Sequence, residues 1–265
     1  MSSDDVVLER LLAQFEGVDD VVVAFSGGVD SSLVLAAAAR ALGPEHVVAV
    51  TASSPTYLDD ERDAAVAVAR GLGVRHVVLE TREYEDRRFV ENSRERCYWC
   101  KGGLLDAVAR VAEAGGAVVV DGTNADDTGD HRPGMRAAAE RGVLRPLLAA
   151  GIGKAEVRRL ARELGLATWD APQQACLASR IPYGVPITPD KLAAVAAAEQ
   201  ALHALGFRQC RARHHGDVAR LEIETDQLGR ALELRADIVR AVHAAGFTYV
   251  ALDLDGFRTG SMNEA

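Results

Sequence analysis

Along the first 166 residues, short apolar runs rich in Val and Ala alternate with stretches of helical period. Val21-Val22-Val23-Ala24-Phe25 is the first such run. It breaks on Gly27 and Gly28, and an apolar helical stretch from Ser31 to Leu42 follows and closes on Gly43-Pro44. An uninterrupted apolar run of this length predicts a strand buried on both faces, and the Gly-Pro pair predicts a helix end. The alternation continues with a strand from His46 to Thr51, a helix from Asp59 to Leu72 ending on Gly73, and a strand from His76 to Glu80. A helix from Lys101 to Ala114, a strand from Ala117 to Val120 and a helix from Lys154 to Leu164 ending on Gly165 complete the series. Such repeats predict an α/β fold with a parallel sheet, helices on both of its faces, and ligands at the carboxyl ends of the strands.

The pattern then changes. From Ala167 to Pro189 the chain has no period and carries Pro172, Pro182, Gly184, Pro186 and Pro189, which predicts a long functional loop or linker. Thr188-Pro189-Asp190 reads as the cap and first turn of a helix reaching Leu205. Strands near Gln209–His214 and Val218–Glu224, a helix from Leu228 to Ala245 and a strand from Tyr249 to Leu254 make a small α+β region. The expected layout is a nucleotide-binding domain over 1–166, an active-site loop over 167–189, and a substrate or oligomerisation domain over 190–265.

Composition narrows the function. The 265 residues are 48% apolar and 26% charged, enough for one large or two modest domains, and 5% aromatic content suits helices on a Val-rich sheet better than a β-sandwich. A formal net charge of −9 argues against tRNA or DNA held by phosphate neutralisation and favours a small-molecule partner. The longest apolar runs, such as Val34 to Ala39, are far short of a bilayer span, and the polar start Met1-Ser2-Ser3-Asp4-Asp5 lacks the features of a secretory signal. The expectation is a cytoplasmic protein with no membrane partner.

In Ser26-Gly27-Gly28-Val29-Asp30-Ser31-Ser32, two glycines let backbone N–H groups turn toward an anion at a helix start, and Ser26, Ser31 and Ser32 add hydroxyls. The spacing is neither that of a Walker loop, since no Lys precedes Ser31, nor that of a dinucleotide fold. It closely resembles the phosphate (PP) loop of the N-type ATP pyrophosphatases, which include GMP synthetase, NAD synthetase, asparagine synthetase and several thiolation enzymes. That resemblance implies a loop cradling the β and γ phosphates of ATP, which leave as pyrophosphate after a carboxylate or carbonyl oxygen attacks the α phosphate. It implies that Asp30 binds magnesium or orders the loop, and that Thr51 and Ser53 meet the ribose and adenine, mostly through backbone. Asp121-Gly122-Thr123-Asn124-Ala125-Asp126-Asp127 closes a later strand in the same way, with Gly122 and Thr123 joining the ATP site. Asp126 and Asp127 read as magnesium ligands, as helix caps, or as a solvated acidic loop.

Four cysteines stand at 97, 100, 176 and 210. In a reducing compartment the Cys97-x-x-Cys100 pair points to redox or metal chemistry rather than a disulfide, while Cys210, a small residue in a strand, reads as core. Arg96-Cys97-Tyr98-Trp99-Cys100-Lys101, the run Cys176-Leu177-Ala178-Ser179-Arg180-Ile181-Pro182-Tyr183-Gly184, Arg211-Ala212-Arg213-His214-His215 and the terminal Gly256 to Asn263 together resemble the LarE family nearly end to end. Members of that family adenylylate the carboxylates of pyridinium-3,5-biscarboxylic acid mononucleotide and convert them to thiocarboxylates in nickel-pincer nucleotide biosynthesis. In one type the cysteine at the position of Cys176 gives up its own sulfur and is left as dehydroalanine. In the other, three cysteines hold a [4Fe-4S] cluster whose open iron carries an extra sulfide.

The presence of Cys97 and Cys100 beside Cys176 favours the cluster type, with an external sulfide source, because three thiolates leave one iron of a cubane free. A sacrificial Cys176 with a bystander pair, and a zinc site completed by His214, His215 or Cys210, stay open. The resemblance further implies that Trp99 stacks on the pyridinium or adenine, or packs under the cluster. It places Ser179 and Arg180 near the anionic substrate, with Arg180 also lowering the thiol pKa of Cys176. It adds Glu199 to the site and gives Arg211, Arg213 and Arg258 to the phosphate and carboxylates, which guanidinium groups match bidentately. Arg211 and Arg213, two apart on a strand, share one face, where salt bridges to Glu222 and Glu224 are the bland alternative. His214 and His215 read as a turn cap or surface pair. A homo-oligomer is implied, with a hexamer as the candidate assembly. Rival readings are a tRNA thiolation enzyme of the same superfamily, a non-catalytic ATP-binding regulator, and an amidotransferase-type ligase, the last leaving the cysteines unexplained.

Overall fold

The computed structural model describes residues 3–57, 59–129, 133–172 and 175–258. In chain order its elements are α1 (Ser3–Leu12), β1 (Val21–Ala24), α2 (Val29–Leu42), β2 (Val47–Ser53), α3 (Asp59–Gly71), β3 (Arg75–Glu80), α4 (Arg87–Val90), α5 (Arg96–Glu113), β4 (Val118–Asp121), α6 (Pro133–Glu140), α7 (Pro146–Ala149) and α8 (Lys154–Glu163). The chain continues with α9 (Pro189–Ala204), β5 (Cys210–His215), β6 (Val218–Ile223), α10 (Leu228–Glu233), α11 (Arg235–Ala244) and β7 (Tyr249–Leu252). It divides into two compact units. One comprises Met1–Ser54, Asp59–Glu83 and Glu95–Ala171; the other joins Pro172–Ala265 to two segments distant in sequence, Pro55–Leu58 and Tyr84–Arg94.

The first unit is a four-stranded parallel sheet in the order β3-β2-β1-β4, with Val21 opposite Val47 on one side and Val118 on the other. Successive β1 side chains alternate between faces. Val21 and Val23 pack with Leu11 of α1, Leu33 of α2 and Leu160 of α8, whereas Val22 packs with Val50 and with Val108 and Ala112 of α5. Both faces are therefore covered, as the apolar run in β1 requires.

In the second unit β5 and β6 pair antiparallel and β6 and β7 parallel. Leu192, Val195, Ala198 and Leu202 recur at helical spacing along α9 and are fully buried. Among the described residues no helix is long and apolar enough to cross a membrane.

Several elements depart from expectation. α5 begins at Arg96, so the Cys-x-x-Cys sequence lies in its first turn, ahead of the expected start at Lys101. Gly102, inside the helix, is a position where a Cβ would lie 2.9 Å from Arg141 Nη2, so the residue permits close packing rather than marking a boundary. The expected single helix over 228–245 is two helices meeting at Leu234, with no Gly or Pro at the break to signal it. α1, α4, α6 and α7 are additional, and α6 and α7 open on Pro133 and Pro146, where the missing N–H costs nothing.

Candidate functional site

The loop after β1 is shaped by two close approaches. Gly27 has φ +77° and a Cβ there would lie 2.9 Å from Ala65 Cβ, so glycine meets both a conformational and a steric demand. Gly28 is the N-cap of α2 and offers no side-chain cap, which leaves the first N–H groups and the positive end of the helix for an anion. Ser31 Oγ donates to Gly28 O at 3.1 Å, so it accepts from Ser26 Oγ at 3.1 Å, and the two hydroxyls brace the loop from inside. Ser32 Oγ is buried with no hydrogen-bond partner among the described residues.

The loop after β4 packs against this one. A Cβ on Gly122 would lie 2.7 Å from Ser31 N, so a larger residue would strike the phosphate-loop backbone. Asp121 is buried and accepts from Thr123 N (3.0 Å) and Thr123 Oγ1 (2.7 Å), with Lys101 Nζ 3.2 Å from its other oxygen. Burial pushes its pKa up, but the Lys101 charge and the Thr123 hydrogen bonds outweigh that and hold the carboxyl below the usual range. Asn124 Nδ2 donates to Asp30 Oδ1 at 3.2 Å, and Lys154 Nζ forms an ion pair with Asp30 Oδ2.

Asp126 Oδ2 accepts from Lys154 N at 2.7 Å, capping α8, and Asp127 Oδ2 accepts from Asn124 N at 3.0 Å. Asp126 thus caps a helix and Asp127 braces its own loop. Among the described residues no three His, Cys, Asp or Glu side chains converge as a metal site. Lys101 and Lys154 escaped the sequence reading. Their only signals were Lys101 directly following Cys100 and Lys154 opening a helix after Gly153.

At the end of β2, Thr51 Oγ1 donates to Phe25 O at 2.8 Å and so accepts from His76 Nε2, also at 2.8 Å. Burial lowers the His76 pKa, keeping the ring neutral with its proton on Nε2. The Thr51 hydroxyl is thus engaged within the protein, which leaves backbone as its means of meeting a nucleotide. Ser53 is half-buried, and its carbonyl accepts from Thr81 N.

Cys97 is exposed and Cys100 half-buried, three residues apart on α5 and so on one face. Trp99 is half-buried and meets the Tyr98 ring edge-on at 4.9 Å.

In the second unit, half-buried Cys176 precedes a 3-10 turn over Leu177–Arg180. Arg180 is buried with all three guanidinium nitrogens engaged: Nε and Nη2 donate to the two Glu199 oxygens at 2.7 Å, and Nη1 donates to Ala175 O (2.6 Å), Cys176 O (3.2 Å) and Ser179 Oγ (2.9 Å). Glu199, also buried, accepts in addition from Ala212 N at 2.9 Å. Arg213 Nη1 donates to Ser179 O at 3.0 Å and Nη2 to Glu222 Oε2 at 2.7 Å, so the strand-face salt bridge exists but is buried rather than solvated.

Arg211 lies 5.1 Å from the Phe257 ring centre, and burial together with the nearby Arg180 charge lowers its pKa to about 10. Arg258 Nη1 is 3.2 Å from Asp255 Oδ2; Thr259 to Asn263 of the terminal motif lie outside the described residues. His214 meets the Phe247 ring edge-on and His215 Nε2 accepts from Arg220 Nε; burial lowers both pKa values. Cys210 is core, its thiol pushed up to about 12 by burial.

Comparison with known proteins agrees with this geometry. The asparagine synthase family model matches residues 7–127, the stretch that holds the phosphate loop and the loop after β4. The pyridinium-3,5-bisthiocarboxylic acid mononucleotide synthase of Lactiplantibacillus plantarum is 40% identical over 96% of this chain and 92% of its own. An uncharacterized protein of Synechocystis sp., slr1717, is 41% identical over 97% and 96% respectively. An NH3-dependent NAD+ synthetase of Hyperthermus butylicus is 33% identical over 57% of this chain and 55% of its own. With a nucleotide-type loop in place and that likeness spanning both units, the chain belongs to the LarE family, the family of the pyridinium-3,5-bisthiocarboxylic acid mononucleotide synthases.

Proposed function

We propose that this chain is an ATP-dependent sulfurtransferase that adenylylates the carboxylates of pyridinium-3,5-biscarboxylic acid mononucleotide and converts them to thiocarboxylates. The observation that carries the activation step is the start of α2, where the helix after Gly28 has no side-chain cap and the Ser32 hydroxyl is buried without a hydrogen-bond partner among the described residues. A triphosphate supplies the negative charge and acceptors this turn lacks. A substrate carboxylate oxygen attacks the α phosphorus, the bond to the bridging oxygen breaks, and pyrophosphate leaves with its charge met by the loop N–H groups and Lys154. Asp30, with Lys154 moved to the phosphates, would hold magnesium. One carboxylate suits an ion that keeps its waters and binds mainly through phosphate oxygens. Gly122 and Thr123 close the ATP site from the β4 side.

Cys97, Cys100 and Cys176 would hold a [4Fe-4S] cluster; all three are free thiols, and Cys97 and Cys100 lie three residues apart on one helix. When bound, such a cluster supplies an iron free of thiolate that can carry sulfide. The chain's own residues bind and orient the substrate: Arg211 and Arg258 its anionic groups, Trp99 a ring face, and Ser179 a hydrogen bond. The same reading makes the protein a cytoplasmic homo-oligomer that needs a sulfide source and neither nucleic acid nor membrane.

The test is anaerobic incubation with ATP, magnesium and the biscarboxylate nucleotide, following pyrophosphate and product mass. Substrate-dependent pyrophosphate together with thiocarboxylate is expected, and Cys97→Ala is expected to abolish repeated turnover. A protein mass reduced by about 34 Da, one H2S, after a single turnover would instead make Cys176 the donor. Pyrophosphate release that requires tRNA would overturn the assignment.

A further inference from the structure

Between Ala175 and Ile187 the chain has a single 3-10 turn and two prolines, so its carbonyls cannot be satisfied by a regular ladder. Local backbone N–H groups serve Cys176 O, Ala178 O and Pro182 O, and side chains add further donors. Arg180 Nη1 serves Ala175 O and Cys176 O, and Arg213 Nη1 serves Ser179 O. Asn92 Nδ2 reaches Ile181 O (3.2 Å), Pro182 O (2.8 Å) and Val185 O (2.8 Å). Backbone bonds from Leu177 N to Thr56 O and from Ile187 N to Val90 O fix the segment further.

Arg180 is a side-chain donor to the sulfur-bearing residue itself, beside the backbone bond from Ser179 N to Cys176 O (2.9 Å), and its orientation is set by Glu199, whose two oxygens take both remaining guanidinium nitrogens while one also accepts from Ala212 N of β5. We infer that Glu199, acting through Arg180, is a positioning residue that fixes the Cys176 backbone for sulfur transfer, and that neither side chain is a ligand of the substrate. With each Arg180 nitrogen already engaged, binding a substrate anion would cost the bonds that hold Ala175 and Cys176. A buried ion pair is also a poor source of net stability compared with apolar packing, so its value here lies in the geometry it enforces. The catalytic part of this inference rests on the proposed sulfurtransferase activity.

The experiment compares wild type, Glu199→Gln and Leu202→Ala, the last a cavity one turn along the same helix that leaves every hydrogen-bonding group of this network in place. Each full-length protein is reduced, stripped of metal with a chelator and treated with iodoacetamide, and the labelling rates of Cys176 and Cys97 are resolved by mass spectrometry. Glu199→Gln keeps the side-chain shape and loses the charge. Its Cys176:Cys97 rate ratio is expected to rise about tenfold as the segment opens locally, while Leu202→Ala lowers Tm and leaves the ratio at the wild-type value. In turnover assays, Glu199→Gln is expected to lose about 100-fold in thiocarboxylate formation and to keep substrate-dependent pyrophosphate release within about threefold. An unchanged ratio in Glu199→Gln, an equal change in Leu202→Ala, or wild-type thiocarboxylate formation despite a raised ratio would overturn the inference. If wild type itself makes no thiocarboxylate, the functional proposal fails, and the labelling ratio still decides whether Glu199 holds Cys176 in place.

Discussion

At the carboxyl edge of the parallel sheet, beside the pairs Asp30–Lys154 and Asp121–Lys101, binding capacity is left open: glycines at 27, 28 and 122, an uncapped helix start, and the buried Ser32 hydroxyl. In the second unit the polar groups are large and close on one another: Arg180 with Glu199, Arg213 with Glu222, Arg220 with Asp253. The contrast follows from what each region must handle. A nucleotide arrives with its own charge and needs donors waiting for it, whereas a thiol on an irregular segment needs its backbone held. Binding capacity in the first region is therefore left for ligands, and charge in the second is mostly for the chain.

The sharpest way to break that contrast is to remove one member of a closed pair. Glu222 is fully buried and receives Arg213 and Arg220. Glu222→Ala deprives the buried Arg213 of that carboxylate and is expected to cost about 3–5 kcal/mol, read from urea unfolding of the full chain. A loss under about 1 kcal/mol, the worth of an exposed pair, would mean the second unit's charges are solvated after all.

The open region is expected to fail differently, in rate rather than in stability. Gly122→Ala pushes a methyl to within 2.7 Å of Ser31 N and should reduce pyrophosphate release about 100-fold, because displacements near 1 Å cost that much in a positioned reaction, with the melting curve little changed. Equal activity would show that the two loops do not shape one site.

These two regions were also unequally legible in the sequence. Val21-Val22-Val23 and the Ser-Gly-Gly-Val-Asp-Ser loop are local signals: a run buried on both faces and a turn only glycine can make, each interpretable without knowing what lies across the fold. Lys101 and Lys154 were invisible because their meaning depends on α5 and α8 delivering them to Asp121 and Asp30, 20 and 124 positions away in the chain. Arg180 and Glu199 were visible singly but not as a pair, since a guanidinium 19 residues from its carboxylate partner reads as a free cation until the α9 packing is known. The break at Leu234 carries no Gly or Pro and so had no signal at all.

A smaller test concerns Lys154. If its ammonium turns from Asp30 to the leaving phosphates, Lys154→Met should weaken pyrophosphate release roughly tenfold, about the worth of one charge-assisted contact. Lys154→Arg should restore part of it. A methionine variant with unimpaired release would mean that Lys154 serves only to steady Asp30.

The smallest effect should come from pH, and it touches both regions. His76 beside Thr51, and His214 and His215 on β5, all have pKa values lowered by burial from the ordinary 6.5. Between the folded and unfolded pKa values the unfolded chain binds more protons, so stability must rise with pH across that window. Conversely, stability starts to fall as pH drops through the unfolded value near 6.5, and the loss levels off once the folded imidazoles are protonated too. His76→Gln keeps a donor for Thr51 and removes the titration. Its melting temperature should therefore decline less steeply than wild type between about pH 7 and pH 5, with His214 and His215 supplying the remaining slope. Identical slopes in the two proteins would mean that the ring at His76 is not held neutral, and that the nucleotide edge is as open to protons as it is to phosphate.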